Sequence, residues 1–382
     1  MTTIFSRFKE VAARYSANVF VADIRDNQIY RQTYSEVLEK VQRVSAALRS
    51  LGLIKGDRLA LLLPNSSDWV IVDLACAQLG LIDVPIHTTY SWHYIKYTIE
   101  HSGSSALVID NFLWQKYSEQ ISQLGLKHII VRANEVSAPA ITLNHCFEQP
   151  PLLEAEKLAE TDVHTIVYTS GTTAEPKGVM LTHQNMLFDT DSARQILPID
   201  PTDSFFSFLP LSHMMERTGC YYTALSVGAS VYFCSDKSRI INEIKLVRPT
   251  IMLAVPRIFE KMDESIFDKI DAGPVWKKKI FFSAMQFKPD EHSIISGIIG
   301  KFYDMLVFHP ILQVLGGRLR FVVSGGASLD RRIARFFQTV GITILEGYGL
   351  TECSPIVALN PLSKRKIGSV GLPLPGVEVK IS

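Results

Sequence analysis

The stretch YTSGTTAEPKGVMLTH (168–183) combines three glycine or proline positions, five serine or threonine hydroxyls and a single lysine, directly after an apolar run. Gly171 and Gly178 allow backbone geometry that other residues disfavour, so successive N–H groups could form a concave anion site. Lys177 would add the countercharge. Further hydroxyl donors are Thr169, Ser170, Thr172 and Thr173. The spacing excludes a Walker loop, because no Ser or Thr follows the lysine. It leaves two interpretations, a phosphate-binding loop or a solvated turn.

Two other apolar runs also end in residues with chemical potential. FLPLSHMMERTG (208–219) places His213, Glu216 and Arg217 at the start of a helix, where the histidine could be a catalyst or a packed or capping residue. VVSGGASL (322–329) carries Gly325 and Gly326, which would let a flat ligand lie against the backbone. The same glycine pair also fits a tight turn from strand to helix.

The fourth stretch is ILEGYGLTECSP (344–355). Tyr348 stands between two glycines, which predicts an exposed ring suited to stacking on a base. Thr351 and Glu352 follow, and their oxygens are the type of ligand that Mg²⁺ and phosphate chemistry require. Taken alone, the Gly-Tyr-Gly sequence is a weak signal.

Short apolar runs that alternate with helical patterns must position these residues. The runs cover 58–64, 82–86, 105–110, 128–133, 165–170, 204–210, 229–234, 250–256, 320–326 and 342–349. Continuously apolar strands separated by helices indicate parallel sheets with helices on both faces. The runs are too many for one sheet, so we predict an α/β fold of two packed, mostly parallel sheets flanked by helices (layered αβαβα). Ligands in such folds bind beyond the carboxyl ends of strands, where all four stretches lie.

The length of 382 residues predicts two or three units. The looser segment 135–160 is the best linker, which gives a first α/β unit over 1–150 and a second over 151–360. Gly/Pro turns and one alternating strand over 361–382 suggest the start of a small β-barrel subdomain.

Composition restricts the class of protein. With 39 basic and 38 acidic residues, the net charge of +1 gives no general field for nucleic acid. Five scattered cysteines favour a reducing compartment. Arg7, Lys9 and Glu10 stand where a signal peptide needs its apolar core, so we expect a cytoplasmic protein. The uncharged stretch 218–235 is better interpreted as a buried helix and strand than as a membrane span.

In this order the four stretches closely resemble the adenylate-forming superfamily, which includes acyl-CoA synthetases, luciferases and the adenylation domains of peptide synthetases. YTSGTTAEPKGVMLTH is similar to its phosphate-loop signature and EGYGLTE to its adenine and magnesium motif. SGGASL and VGLPLPGVEVKI agree in place and spacing. LPLSHMMERTG, VPRIFEKM and LGGRLRFVVSGG look most like bacterial long-chain fatty acyl-CoA synthetases.

The resemblance implies a reaction and its substrates. A fatty acid would be joined to ATP with release of pyrophosphate, and its acyl group would then pass from AMP to coenzyme A, with Mg²⁺ as cofactor. A carboxylic acid with a pKa of ~4.3 is already ionised, so the main task is positioning and charge stabilisation. Acyl chain length and oligomeric state are not determined by these motifs.

The resemblance also implies residue roles. Lys177 and the loop hydroxyls would hold the β- and γ-phosphates, Thr351 the α-phosphate, and Glu352 with Thr172 the Mg²⁺. Tyr348 and the backbone of 325–327 would enclose the adenine, and His213 would lie beside the acyl carboxylate. The implied nucleotide-binding set is Thr169, Ser170, Gly171, Thr172, Thr173, Lys177, Gly178, Gly325, Gly326, Ala327, Glu346, Gly347, Tyr348, Gly349 and Thr351.

Three departures from the family pattern matter. Ala174 and Ser328 replace a common glycine and proline without removing a ligand. The sequence ends at Ser382, before the ribose-binding aspartate, the hinge and the mobile C-terminal domain with its lysine. We therefore expect the large N-terminal domain of a longer ligase, with two alternatives: a ligase for another acid such as an aryl acid, or a fragment that binds ATP and an acyl group without turnover.

The segment WKKKIFFSAMQFK (276–288) mixes lysines with aromatic residues. It is typical of an amphipathic surface helix, and it could also lie on an anionic membrane surface, which would place the protein peripherally on the inner membrane.

Overall fold

The computed structural model describes residues 2–169, 175–287 and 294–381, without the side chains of 294–297. Within these ranges sixteen strands form two sheets. The strands are β1 Val19–Arg25, β2 Gln28–Thr33, β3 Arg58–Leu62, β4 Ile82–Pro85, β5 Ala106–Asp110, β6 His128–Arg132, β7 Ile141–Thr142, β8 Val163–Thr169, β9 Lys177–Thr182, β10 Ser204–Ser207, β11 Ser230–Phe233, β12 Ile251–Ala254, β13 Phe321–Ser324, β14 Ile344–Gly349, β15 Ile356–Leu359 and β16 Leu372–Pro373.

Helices cover both sheets. They are α1 Ile4–Arg14, α2 Tyr34–Ser50, α3 Ser67–Leu79, α4 Trp92–Ser102, α5 Asn111–Ser122, α6 Leu143–Phe147, α7 His183–Ile196, α8 Met214–Glu216, α9 Thr223–Val227, α10 Ile240–Val247, α11 Pro256–Asp271, α12 Val275–Gln286, α13 Ile294–Tyr303, α14 His309–Val314 and α15 Arg331–Val340. Two π-helical segments, Arg217–Tyr222 and Asp304–Phe308, continue α8 and α13.

The first sheet has seven strands in the order β7-β6-β5-β3-β4-β8-β9, and the second has nine in the order β16-β15-β14-β13-β12-β10-β11-β1-β2. Most neighbours are parallel, while β1–β2, β8–β9, β14–β15 and β15–β16 are antiparallel. The predicted fold of two mostly parallel sheets with flanking helices is confirmed, and each predicted apolar run overlaps a strand.

Local sequence explains why particular helices form where they do. α2 begins at a capping box, in which the Thr33 hydroxyl accepts a hydrogen bond from the Glu36 N–H and the Glu36 carboxylate accepts one from the Thr33 N–H. α3 is buried on nearly every side and contacts both β4 of the first sheet and β1 of the second. Its sequence is accordingly apolar without a polar face, as expected of a central helix.

The sheets do not divide at residue 150. β1 and β2 from the start of the chain close the edge of the second sheet, while β8 and β9 from beyond residue 150 belong to the first. In the tail, β16 pairs with β15 at the opposite edge of the second sheet. Sequence analysis missed the β1–β2 hairpin and β9. β2 and β9 are edge strands with little apolar periodicity, whereas β1 lies between β11 and β2 and its run VFVADIR is apolar enough to have been found.

The uncharged stretch 218–235 forms the π-helical segment, α9 and β11, as predicted. Within the described ranges, we find no helix with the length and apolar character needed to cross a bilayer.

Candidate active site at the junction of the two sheets

Much of the lysine-bearing stretch belongs to a β-hairpin, so it is not a loop along its whole length. β8 and β9 pair antiparallel, and Lys177 stands opposite Thr169 in the last pair of the register before the connection between the two strands. Lys177 is exposed. The predicted donors Ser170, Gly171, Thr172 and Thr173, together with Ala174, lie outside the described residues.

Gly178 is required for a reason different from the one its sequence suggested. Its φ is not in the left-handed region, and it sits within β9. A Cβ at this position would lie 2.8 Å from Ile166 Cγ2 and 3.3 Å from Tyr168 Cζ. The glycine therefore allows close cross-strand packing, and our prediction that it supplies unusual backbone geometry was wrong.

The glycine pair and the Tyr348 motif are neighbours, because β13 and β14 are parallel and Ser324 pairs with Glu346. Gly326 has a φ of +83°, which a residue with a side chain rarely adopts. The Tyr348 ring is 53% exposed, as predicted. Gly349 admits no side chain, because a Cβ there would lie 1.9 Å from the Pro355 carbonyl oxygen.

Thr351 and Glu352 form a single 3₁₀ turn, Thr351–Cys353, directly after β14. This turn contacts β9, whose first residue is Lys177. The Glu352 carboxylate is exposed. Residues from both sheets thus meet at this point, although they are more than 170 positions apart in the chain.

A mostly apolar cavity of about 530 Å³ opens between these strand ends. The predicted residues that line it are His213, Gly325, Gly326, Gly347, Tyr348, Gly349 and Thr351. Its apolar wall is formed by residues just after α7, by the segment that follows β10, and by β15. These residues are Leu197, Ile199, Leu209, Met214, Met215, Ile356 and Leu359. Three of the four stretches therefore line one cavity. The described part of the lysine-bearing stretch does not line it, and its strand β9 lies beside the cavity in contact with the 3₁₀ turn.

Several predicted nucleotide-binding residues do not line this cavity. Thr169, Lys177, Gly178, Ala327, Glu346 and Glu352 are absent from its lining. Glu346 is 9% exposed, and its carboxylate accepts a hydrogen bond of 2.7 Å from the Gly368 N–H. The side chain of Glu346 therefore ties β14 to the tail of the chain.

His213 occupies the N-cap position of α8 without a capping hydrogen bond from its side chain, and its ring lies beside a second histidine that sequence analysis missed. The rings of His213 and His87 lie 5.6 Å apart in an edge arrangement. Burial, then His213 and then the Lys237 ammonium lower the pKa of His87 to about 4. Partial burial and Lys237 also lower the pKa of His213. Both rings are therefore neutral at pH 7.

A second, more polar cavity of about 900 Å³ meets the first. The residues lining both are His87, Pro210 and Lys237. His87 and Lys237 follow strands β4 and β11, so the rule about strand ends applies to them as well. No sequence pattern distinguished them from other loop residues.

Arg217, four positions after His213 in the sequence, does not line the cavity and has a structural role. It is fully buried and donates hydrogen bonds to Asp83 (2.9 Å), Thr165 (2.8 Å) and Asp73. Asp73, Asp83 and His164 lie close enough together to hold a metal ion. The Arg217 guanidinium already supplies the positive charge there, so this cluster is an internal ion-pair network.

Comparison with known proteins identifies the family. A family model described as AMP-binding enzyme matches residues 8–382. The chain belongs to this family. The resemblance to adenylate-forming enzymes is thereby confirmed for nearly the whole chain.

Curated relatives of this AMP-binding enzyme include "Long chain acyl-CoA synthetase 7, peroxisomal" of Arabidopsis thaliana, which is 29% identical over 410 residues, covering 99% of this chain and 57% of the relative. "Long-chain-fatty-acid--CoA ligase FadD15" of Mycobacterium bovis is 30% identical over 372 residues, covering 92% of this chain and 60% of the relative. The chain thus spans about 60% of the length of these proteins.

Solved structures share the fold. The anthranilate CoA ligase AuaEII in complex with anthranoyl-AMP superposes with a TM-score of 0.79 at 20% identity, covering 98% of this chain and 65% of that one. A benzoate CoA ligase from Burkholderia xenovorans LB400 gives a TM-score of 0.77 at 21% identity, covering 98% and 66%.

Proposed function

We propose that this chain is the large N-terminal domain of an ATP-dependent ligase for long-chain fatty acids. The ligase would form acyl-AMP with release of pyrophosphate, and then acyl-CoA with release of AMP. One observation carries the proposal: the Tyr348 and Gly325–Gly326 segments line the same cavity as an apolar wall. A nucleotide base and an acyl chain could therefore occupy adjoining parts of one site. Names of the curated relatives support the fatty acid as substrate.

The proposed roles follow from position. Tyr348 would stack on the adenine against the backbone of Gly325, Gly326 and Ala327. Thr351, which lines the cavity, would donate its hydroxyl to the α-phosphate. Lys177 would approach the β- and γ-phosphates from β9, beside the same turn. These groups would position the reactants and stabilise charge, which are the main demands of phosphoryl chemistry.

Glu352 fits a Mg²⁺ site. Its carboxylate is exposed on the 3₁₀ turn and makes no hydrogen bond or ion pair with another described residue. A single carboxylate that leaves room for phosphate oxygens and water is the protein contribution Mg²⁺ usually receives. Bound there, Mg²⁺ would neutralise charge on the leaving pyrophosphate. Thr172, the second proposed ligand, lies outside the described residues.

The free cysteines and balanced charge support a cytoplasmic location for the protein.

The test is ATP–pyrophosphate exchange with the full-length protein that contains this chain. We expect exchange stimulated by saturated fatty acids of long chain length, and much weaker stimulation by benzoate and anthranilate. A preference for benzoate or anthranilate would identify an aryl acid, and not a fatty acid, as the substrate. The absence of stimulation by any acid would refute the proposal of a ligase.

The alternative of a binding fragment concerns the 382-residue chain itself. Calorimetry with ATP, run beside an assay for acyl-AMP, separates the two possibilities. ATP binding without adenylate would identify a binding domain that needs further sequence for turnover, whereas adenylate formation would show that these residues suffice.

A further inference from the structure

We propose that Lys237 and His87, together with His213, bind the carboxylate of the acid substrate. This inference rests on the proposed function, because it assigns the acid's charged end to a place in the same cavity. Neither Lys237 nor His87 belongs to a motif of the sequence.

The three side chains converge from both sheets. His87 follows β4 of the first sheet, whereas His213 and Lys237 follow β10 and β11, which are adjacent parallel strands of the second. His87 and Lys237 line both cavities, at the point where the apolar one meets the polar one. The Lys237 ammonium is near enough to both rings to lower the pKa of each histidine. A carboxylate at this point could keep its chain in the apolar cavity.

Charge favours an anion here. Among the described residues that line the apolar cavity, Lys237 is the one with a permanent positive charge. It makes no ion pair or hydrogen bond with another described residue. Glu216 is the acidic residue among the described residues of this lining. Burial raises its pKa to about 8, although hydrogen bonding to Ser207, Phe208 and Cys220 lowers it. An incoming carboxylate would therefore meet one ammonium and no competing anion at neutral pH.

His87 is oriented to donate. The Thr89 N–H donates a hydrogen bond of 3.1 Å to His87 Nδ1. A neutral ring that accepts at Nδ1 must carry its proton on Nε2. Tyr90 stacks on the ring at 5.3 Å and helps to fix its plane. His87 thus offers one Nε2–H donor, and its tautomer is set before the substrate arrives.

The position also suits the reaction. The segment that carries His213 reaches the glycine pair, because Met215 Sδ lies 3.1 Å from where a Cβ of Gly325 would be. A carboxylate held at His213 would therefore lie next to the nucleotide-binding strand ends. Lys237 itself is separated from β13 by β10 and β12, which makes it less suited to the adenine or its phosphates.

The test compares ligands of equal chain length with and without the charge. Binding of laurate and of dodecanol to the 382-residue chain is measured by calorimetry for wild type, Lys237→Met, Lys237→Arg and His87→Ala. Because a charge-assisted hydrogen bond is lost, we expect Lys237→Met to weaken laurate binding roughly ten- to a hundredfold and to leave dodecanol and ATP binding unchanged. Lys237→Arg should restore most of the laurate affinity.

Two further variants test the hydrogen-bond donor of His87 and control for the loss of a lysine. His87→Gln, which can place an N–H near the position of Nε2, should retain more laurate affinity than His87→Ala. Lys245→Met removes another exposed lysine, on α10, and should change nothing.

The outcomes are distinct. Wild-type chain that binds neither laurate nor dodecanol would refute the proposed fatty acid ligase. Laurate binding that survives Lys237→Met would refute only the assignment of the carboxylate. An equal loss of laurate and dodecanol would also refute it, because the effect would then not depend on charge. A variant Lys237→Met that loses only ATP binding would refute the assignment as well.

Discussion

Lys177 on β9 and Glu352 on the turn after β14 lie beside the candidate nucleotide cavity, and their substitution should separate binding from chemistry. Lys177→Ala removes a countercharge for phosphates, so we expect ATP affinity to fall roughly tenfold or more. Glu352→Ala should lower the rate of Mg²⁺-dependent acyl-AMP formation more than it lowers ATP affinity. Calorimetry and single-turnover adenylation in the full-length protein measure the two effects. Small and equal effects of both substitutions would mean that the site lies elsewhere.

Asp189 gives a residue-level prediction about pH. The side chain is 1% exposed on α7, and its Oδ2 accepts a hydrogen bond of 3.0 Å from the Ile356 N–H of β15. Burial raises its pKa from 3.8 to about 8, despite the lowering effect of that hydrogen bond. The folded protein therefore binds one more proton than the unfolded chain between these values, and the free energy of unfolding falls as pH rises through this window.

Asp189→Asn keeps an acceptor for Ile356 and removes the titration. We expect the variant to exceed wild type in Tm by more at pH 8 than at pH 5. Glu216, which is also buried with a raised pKa, titrates in both proteins and cancels in the comparison. A difference in Tm that is independent of pH would contradict the prediction.

At the level of elements, the π-helical segment Arg217–Tyr222 is held by charge as well as by packing. Arg217 joins it to α3, β4 and β8 through Asp73, Asp83 and Thr165. Burial raises the pKa of Asp73, but the Arg217 charge and then hydrogen bonding to His164 outweigh this and hold it well below its usual range. The same segment continues α8, which follows His213, so the ion-pair network also fixes one wall of the cavity.

Arg217→Met should therefore cost about 3–5 kcal/mol of stability, because it leaves a buried carboxylate without its partner. Urea denaturation measures this cost. The double variant Arg217→Met with Asp73→Asn should recover part of it, since the uncompensated charge is then removed. If the double variant were as unstable as the sum of both single changes, packing rather than charge would explain the role of Arg217.

At the level of the whole molecule, one surface stands out for its exposed apolar side chains. We call it the α12–α13 surface, and its exposed members are Val275, Trp276, Phe282, Ile298, Ile299, Phe302, Met305 and Leu306. Lys277, Lys279 and Lys301 are exposed on the same helices. Basic and large apolar side chains together are typical of a surface that binds anionic membranes. Phe281 and Ala284, by contrast, are buried, so α12 also packs on the protein as an ordinary amphipathic helix does.

We therefore expect the chain to cosediment with vesicles of phosphatidylglycerol more than with vesicles of phosphatidylcholine. Trp276→Asp with Phe302→Asp should abolish this binding, whereas Phe112→Asp, at an exposed position of α5, should not. Binding to neither vesicle, together with dimerisation that the double variant removes, would show that the surface binds a second copy instead.

The sequence by itself determined the fold class and most strands of this protein. Apolar runs such as 58–64 and 320–326 are continuous because strands covered on both faces must bury every side chain, and this pattern is local. The motifs around Gly325 and Tyr348 were equally readable, because each depends on residues a few positions apart. The family likeness then predicted that they act together.

Only the tertiary structure determined which residues and strands from distant parts of the chain lie together. His87 and Lys237 join His213 because β4, β10 and β11 end at one place, and no pattern within 87–90 or 235–239 encodes that meeting. Gly178 was predicted to supply unusual backbone geometry, yet it serves close packing, since the side chain that excludes a Cβ there, Ile166, is on the neighbouring strand. Strands from both sides of residue 150 share each sheet for the same reason. Pairing between distant strands is set by three-dimensional packing, which local periodicity does not record.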